Sequence, residues 1–201
     1  MKLRTIVMMG AALLLAACSS TWVTRYDQSI DEATARSWSF RSVNVNVPQT
    51  LTVTDENRIA PEADIVWHGD AAGDRRAQVK AIMEAGLERG VAGVRGSKPV
   101  TLNVTVQRFH AVTPAAVARA PQAVHDIVYT AQVLDARTGA PITEPIAFRA
   151  DLEAFTGEQA VQAAEQGQTQ KVRIVNHLAA VTQGWLGIGP DQRRTFSSLG
   201  R

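Results

Sequence analysis

Residues 100–107 read VTLNVTVQ. Val100, Leu102, Val104 and Val106 fall on one side, and Thr101, Asn103, Thr105 and Gln107 on the other. That period of two belongs to a strand with one face in an apolar core and one in water. Such a strand needs neighbours. Downstream, Ile127, Tyr129, Ala131 and Val133 repeat the alternation, and Asp135-Ala136-Arg137-Thr138-Gly139 signals a tight turn. Ile146, Phe148, Ala150 and Leu152 make a third strand. Matching the apolar faces of the first two pairs Leu102 with Val133, Val104 with Ala131 and Val106 with Tyr129. Strands joined in succession in this way form an antiparallel meander.

Upstream, Val43, Val45 and Val47 alternate with Asn44 and Asn46 until Pro48 interrupts; Leu51 and Val53 resume the pattern. Asp64 to His68 reads as a short strand. Asp74 is an N-cap for a helix from Arg75 to Gly90, with Val79, Ile82, Met83 and Leu87 as its apolar stripe and Gly90, Gly93 and Gly96 ending it. A loop with Pro114 and Pro121 separates the first two meander strands. A long helical pattern runs from Gly157 to Gly187, with Val161, Val172, Val175, Leu178 and Trp185 on one face, and Gly189-Pro190 stops it. The predicted class is α+β: two layers, an antiparallel or mixed sheet of about five strands, and two helices on one face.

The start of the chain has a different character. Lys2 and Arg4 precede an uncharged apolar run from Ile6 to Leu15, and Ala16, Ala17 and Cys18 follow. This is the three-part pattern of a secretory signal. The run is too short to cross a hydrocarbon core, which takes about 20 residues. Leu15-Ala16-Ala17-Cys18 resembles the bacterial lipobox. The resemblance implies a diacylglycerol on the Cys18 thiol, cleavage before Cys18, and acylation of the new amine by a palmitate-like chain. Ser19 then implies sorting to the outer membrane, facing the periplasm, with the lipid bilayer as a partner through acylated Cys18. More than one chain makes such an anchor firm. The expected organisation is a signal peptide over 1–17, a lipidated tether over 18–41, one domain over 42–189 and a flexible tail over 190–201. Fully extended, the tether would reach roughly 70 Å.

Charge narrows the function classes. The 201 residues hold 21 Lys and Arg against 19 Asp and Glu. Lys2 and Arg4 leave with the signal, so 19 of each sign remain. No basic cluster is visible, which argues against nucleic acid and against a polybasic membrane contact. The one cysteine is the anchor, so no intramolecular disulfide forms and no thiol is left for catalysis. No G-x-S-x-G elbow is present. No catalytic residue and no cofactor are assigned.

Two constellations remain. Trp67-His68-Gly69-Asp70-Ala71-Ala72-Gly73-Asp74-Arg75-Arg76 runs from a strand through a glycine-containing loop into a helix. Free amides at a helix start suit an anion, so His68, Asp70, Asp74, Arg75 and Arg76 form a candidate ligand or partner loop. It lacks the P-loop and dinucleotide patterns, and its aspartates oppose an anion, so capping is the competing reading. The second constellation is His110 and His125. Extending the strand register places them opposite each other, where two imidazoles would share a metal or a proton. Two ligands make an incomplete site, and the competing reading has both capping the rim of the buried face and reaching solvent.

Val47 to Val53, Ala63 to Asp70, Gly73 to Ile82, Val104 to Ala111 and Val124 to Ile127 resemble a family of small alphaproteobacterial lipoproteins of uncharacterised function. The resemblance implies no activity. It brings Arg where His68 stands, which speaks against a catalytic His68. The strand and helix order is also loosely similar to auxiliary lipoproteins of envelope transport systems, an analogy of fold. The expected function is a non-enzymatic, lipid-anchored accessory or assembly factor that binds another envelope protein, docking through a strand edge near Val43 to Val53. The alternative is a periplasmic module for a small ligand or lipid. An enzyme using His110, His125 or the 70–76 loop is the third reading.

Overall fold

The computed structural model describes residues 20–200; the signal segment and Cys18 lie outside them. The centre is the predicted hairpin: β5 (Lys98–His110) and β6 (Ala123–Asp135), antiparallel. Leu102 pairs with Val133, Val104 with Ala131 and Val106 with Tyr129, as the apolar faces require. Around them are β1 (Ser20–Tyr26), α1 (Glu32–Arg36), β2 (Trp38–Asn46), β3 (Val53–Thr54), β4 (Ile65–Val66), α2 (Arg75–Val91) and α3 (Pro114–Arg119). After β6 come β7 (Ile146–Ala150), β8 (Leu152–Ala154), α4 (Gly157–Glu165), α5 (Gln170–Trp185) and β9 (Arg194–Ser198). The fold is mixed α+β, with nine strands and five helices among the described residues in place of about five and two.

The extra strands have two origins. Some ladders are shared: β2 and β4 both pair with β5 in parallel, at different heights, and β7 and β8 both pair with β6. The break between β7 and β8 falls at Asp151, which splits the single strand expected from Ile146 to Leu152. Other strands come from segments expected to be loose. β1 lies between β7 and β9, with Thr24 opposite Ala150 and Ser20 opposite Ser198. The tether expected over 18–41 is therefore strand and helix from Ser20 onward, and the tail expected over 190–201 contains β9. Trp22, Thr24 and Tyr26 alternate with Thr21, Val23 and Arg25, and Thr24 and Tyr26 are buried.

The helices α2 and α5 cover one face. Val79, Ile82, Met83 and Leu87 of α2 and Ile174, Leu178, Val181 and Trp185 of α5 share a core with Leu102, Val104, Tyr129, Val133 and Phe148. Phe148 stacks on Tyr129 at 4.8 Å between centroids and meets Trp185 edge-on at 5.3 Å. Gly86 and Gly90 let the helices approach. A Cβ on Gly86 would lie 2.6 Å from Cβ of Leu178, and one on Gly90 would lie 2.5 Å from Cβ of Thr182. Gly90 thus sits inside α2 as a packing residue and does not end it; the cap is Ala92. The expected long helix from Gly157 is two helices, broken at Gly167 (φ +73°), with Thr169 capping the second through Val172 N. The loop expected after His110 contains α3, capped by Thr113 with Pro114 in its first turn.

Strand directions define two poles. β1 begins where β7 ends, β7 ends where β6 begins, and β6 begins where β5 ends. The start of β1, α3, β8 and the end of β9 therefore share one end of the sheet. The Asp135–Gly139 turn lies at the other.

Candidate functional site

The 67–76 loop forms as expected, with its charges turned inward. Trp67 is fully buried; its Nε1 donates to Asp70 Oδ2 at 2.8 Å. Lys171 of α5 donates to both Asp70 oxygens, at 2.8 and 3.1 Å. That ammonium holds the Asp70 carboxyl below the usual carboxylate range. Asp74 caps α2 by accepting from Ala77 N at 3.1 Å. Arg75 is buried, donating to Asp55 Oδ1 at 2.7 Å, Gln78 Oε1 at 2.8 Å and Ala71 O at 3.1 Å. Arg76 donates to the carbonyls of Leu51 at 2.6 Å and Gln49 at 3.1 Å. His68 is half-buried, and its Nε2 has no partner among the described residues. The loop is a clasp joining α2, α5 and the 49–55 segment, as the capping reading requires. A Cβ on Gly69 would lie 2.4 Å from two carbons of the buried Trp67 ring, too close for any side chain unless the indole moved.

Removing Asp70 leaves the buried Trp67 indole N–H without its acceptor, while the Lys171 ammonium, at 44 % side-chain exposure, turns to solvent. Asp70→Ala is expected to cost about 1–3 kcal/mol, read as a lower urea midpoint at unchanged slope. Asp70→Asn, which keeps an acceptor for Trp67, is expected to lose less.

The two histidines are not directly opposed. A bulge between Val106 and Arg108 inserts one residue into β5, so His110 lies opposite Asp126 and not His125. Both imidazoles are buried, His110 at 2 % and His125 at 0 % exposure, so neither reaches solvent at a rim. His110 Nε2 lies 2.9 Å from Pro61 O, and His125 Nδ1 accepts from Val112 N at 3.4 Å. Burial pushes His125 down to about 3. Among the described residues no group of three His, Cys, Asp or Glu side chains is arranged to hold a metal. Close by, Asp126 meets Arg108 and Arg149, each at 3.4 Å. Asp151, fully buried at the β7–β8 break, accepts from Val23 N at 3.0 Å. Burial raises its carboxyl to about 6. Cys18, the expected lipidation site, lies outside the described residues.

The feature that the sequence did not reveal is a cleft of about 340 Å³ between α3, α4 and the start of α5. Its walls are mainly apolar, with Val117, Phe155, Ala160, Val161 and Ala164 prominent, and it reaches Gly69 at the edge of the clasp. Lys171 and Arg173 also border it. Arg173 lies 3.4 Å above the Phe155 ring centre and donates to Glu153 O at 2.7 Å. Both cations are thus held in place by the protein. The cleft depends on the break at Gly167, which folds α4 back beside α3. That glycine, followed by Thr169, was its one legible signal.

Comparison with curated proteins gives no match. Among solved structures, a Caulobacter crescentus CB15 protein named as a lipoprotein is 19 % identical, with 59 % of this chain and 88 % of that one covered and a TM-score of 0.37. A minor lipoprotein from Acinetobacter baumannii is 15 % identical over 73 % of this chain and 93 % of that one, with a TM-score of 0.35. A Xanthomonas campestris protein of the DUF330 family model is 16 % identical over 82 % and 90 %, with a TM-score of 0.42. Residues 38–201 match one family model, and the chain belongs to that family, a family of unknown function (DUF6778).

Proposed function

We propose that the chain is a lipid-anchored envelope protein, held at the periplasmic face of the outer membrane through acylated Cys18, that acts by binding. The observation that carries the binding reading is the apolar cleft between α3, α4 and α5. A concave, largely apolar site with few polar groups suits an apolar ligand. Lys171 is paired with Asp70, but the Arg173 guanidinium is held at the rim by a carbonyl and a ring and suits a ligand with an acidic end; a fatty acyl chain meets both conditions.

The test is titration of the purified protein with a fluorescent fatty acid. Saturable binding is expected. Ala164 lines the cleft and is exposed, so Ala164→Trp fills the space with little effect on folding. That variant is expected to bind at least tenfold more weakly at an unchanged melting temperature. Equal binding by both proteins would remove the cleft as the site.

One observation favours the accessory-factor reading as a second function. β2 pairs with β5 along one side, and among the described residues no strand ladder covers its other side. An open edge of this kind accepts a strand from a partner protein. A photo-crosslinker at the exposed Asn46 should then capture one envelope protein in intact cells, and one at Thr138 should not.

A further inference from the structure

Four large apolar side chains among the described residues are more than a third exposed: Ile59 (44 %), Val161 (58 %), Val172 (37 %) and Leu199 (50 %). All four lie at one pole. Leu199 follows Ser198, which pairs with Ser20 at the start of β1. Val161 is on α4, directly after β8, whose Ala154 pairs with Ala123 at the start of β6. Val172 is in the first turn of α5, beside the cleft. Ile59 sits in a loop hooked onto α3, where Thr113 Oγ1 donates to Arg58 O at 2.7 Å and Ala115 N donates to Asn57 Oδ1 at 2.7 Å. A second, smaller depression joins Ser197 and Ser198 to Phe155 and Gln159, linking the end of β9 to the wall of the cleft. The opposite pole presents Asp27, Gln28, Asp135, Arg137, Thr138 and Glu144 beside small apolar groups such as Ala136 and Pro145, and none of the four large exposed apolar side chains.

The pole with the exposed apolar groups is the one that Cys18 enters. Only Ser19 separates Cys18 from β1, so at ~3.3 Å per residue the backbone of Cys18 lies within about 7 Å of the first paired residue, Ser20. A link that short keeps this pole beside the anchor.

We infer that this pole is a membrane-contact surface, and that Ile59, Val161, Val172 and Leu199 enter the interface of the leaflet that holds the Cys18 lipid. The occupant is the phospholipid leaflet itself. Charge at this pole is mixed, with Arg58 paired to Glu56 at 2.8 Å and Glu158 and Glu165 exposed on α4. The contact is therefore apolar in character and does not depend on anionic headgroups. It also turns the cleft toward the source of acyl chains. The inference rests on the anchored reading of Cys18.

The experiment uses the full lipidated protein in vesicles of phosphatidylethanolamine and phosphatidylglycerol. Acylation blocks Cys18, so Val161→Cys, Leu199→Cys and, at the far turn, Thr138→Cys each carry one reactive thiol for an environment-sensitive fluorophore. Lipid-borne nitroxides are expected to quench labels at 161 and 199 several-fold more than the label at 138, with little change when phosphatidylglycerol is omitted. Labels at 161 and 199 that are as open to an aqueous quencher as the label at 138, on a protein whose mass shows acylated Cys18, overturn the inference alone. A mass without acyl groups overturns the anchored reading and this inference with it.

Discussion

Replacing Gly86 and Gly90 together with valine is expected to cost the fold about 2–6 kcal/mol, read as a large drop in the urea midpoint. The two glycines form the seam where α2 meets α5. New Cβ atoms would press on Leu178 and Thr182 and on the carbonyls of Val175 (3.1 Å) and Ala179 (3.0 Å). Backbone cannot yield as a flexible side chain does, so the helices must separate and lose contacts along the shared core. Overpacking costs about 1–3 kcal/mol at each site, against a total stability of about 5–15 kcal/mol for an ordinary domain. Gly→Ala would raise intrinsic helix propensity by up to about 1 kcal/mol, so a net loss in Gly86→Ala isolates the packing cost. A Gly86→Ala protein more stable than the parent would refute the close seam. Gly93, which has nothing within 4 Å of a built Cβ, is the control: Gly93→Ala should be neutral.

Acid is the second large lever. Burial holds His125 down to about 3 and His177 down to about 4, from an ordinary 6.5, and neighbouring cations add to both. Both imidazoles are neutral in the native state, and the unfolded chain binds their protons first. Stability is therefore full above about pH 6.5 and falls as the pH drops toward 4. Each contributes a loss of about 3 kcal/mol at pH 4 by linkage. Asp151 acts in the opposite direction. With its carboxyl raised to about 6, the native state holds a proton that the unfolded chain has released, so the group favours folding below pH 6 and costs stability above it. That offsets about 2 kcal/mol at pH 4. The expected net loss from these three groups between pH 7 and 4 is roughly 4 kcal/mol. Chemical denaturation across that range measures it. His125→Gln should flatten the curve, and Asp151→Asn should steepen it while raising stability at pH 7.5. A parent protein whose midpoint is unchanged from pH 7 to 4 would contradict neutral burial of the two histidines.

Legibility in the sequence followed local periodicity. The β5–β6 register was readable from Leu102 to Val106 because alternation fixes which residues share a face. It failed beyond Gln107 because an inserted residue leaves no mark in a polar–apolar pattern, and that single bulge separates His110 from His125. The N-cap at Asp74 and the start of α2 were readable from one residue type. The role of Gly86 and Gly90 was not, because a glycine near a helix end and a glycine at a helix crossing look alike in sequence. β1 carried a faint alternation in Trp22, Thr24 and Tyr26, obscured because the buried middle residue is a threonine. The clasp was legible as residues and not as a network: Lys171, its decisive partner, lies 101 positions from Asp70.

The placement of β1 has a mechanical consequence. A pull applied ahead of Ser20 runs along the axis of β1, while the hydrogen bonds that hold it run across that axis to β7 and β9. Load is therefore carried in shear. The three paired positions with β7 and the five with β9 must yield together, and cannot open one after another as in a zipper. Force entering the chain ahead of Ser20 would in this way be shared between β1 and the two strands beside it, β7 and β9, and not taken up by a slack leash.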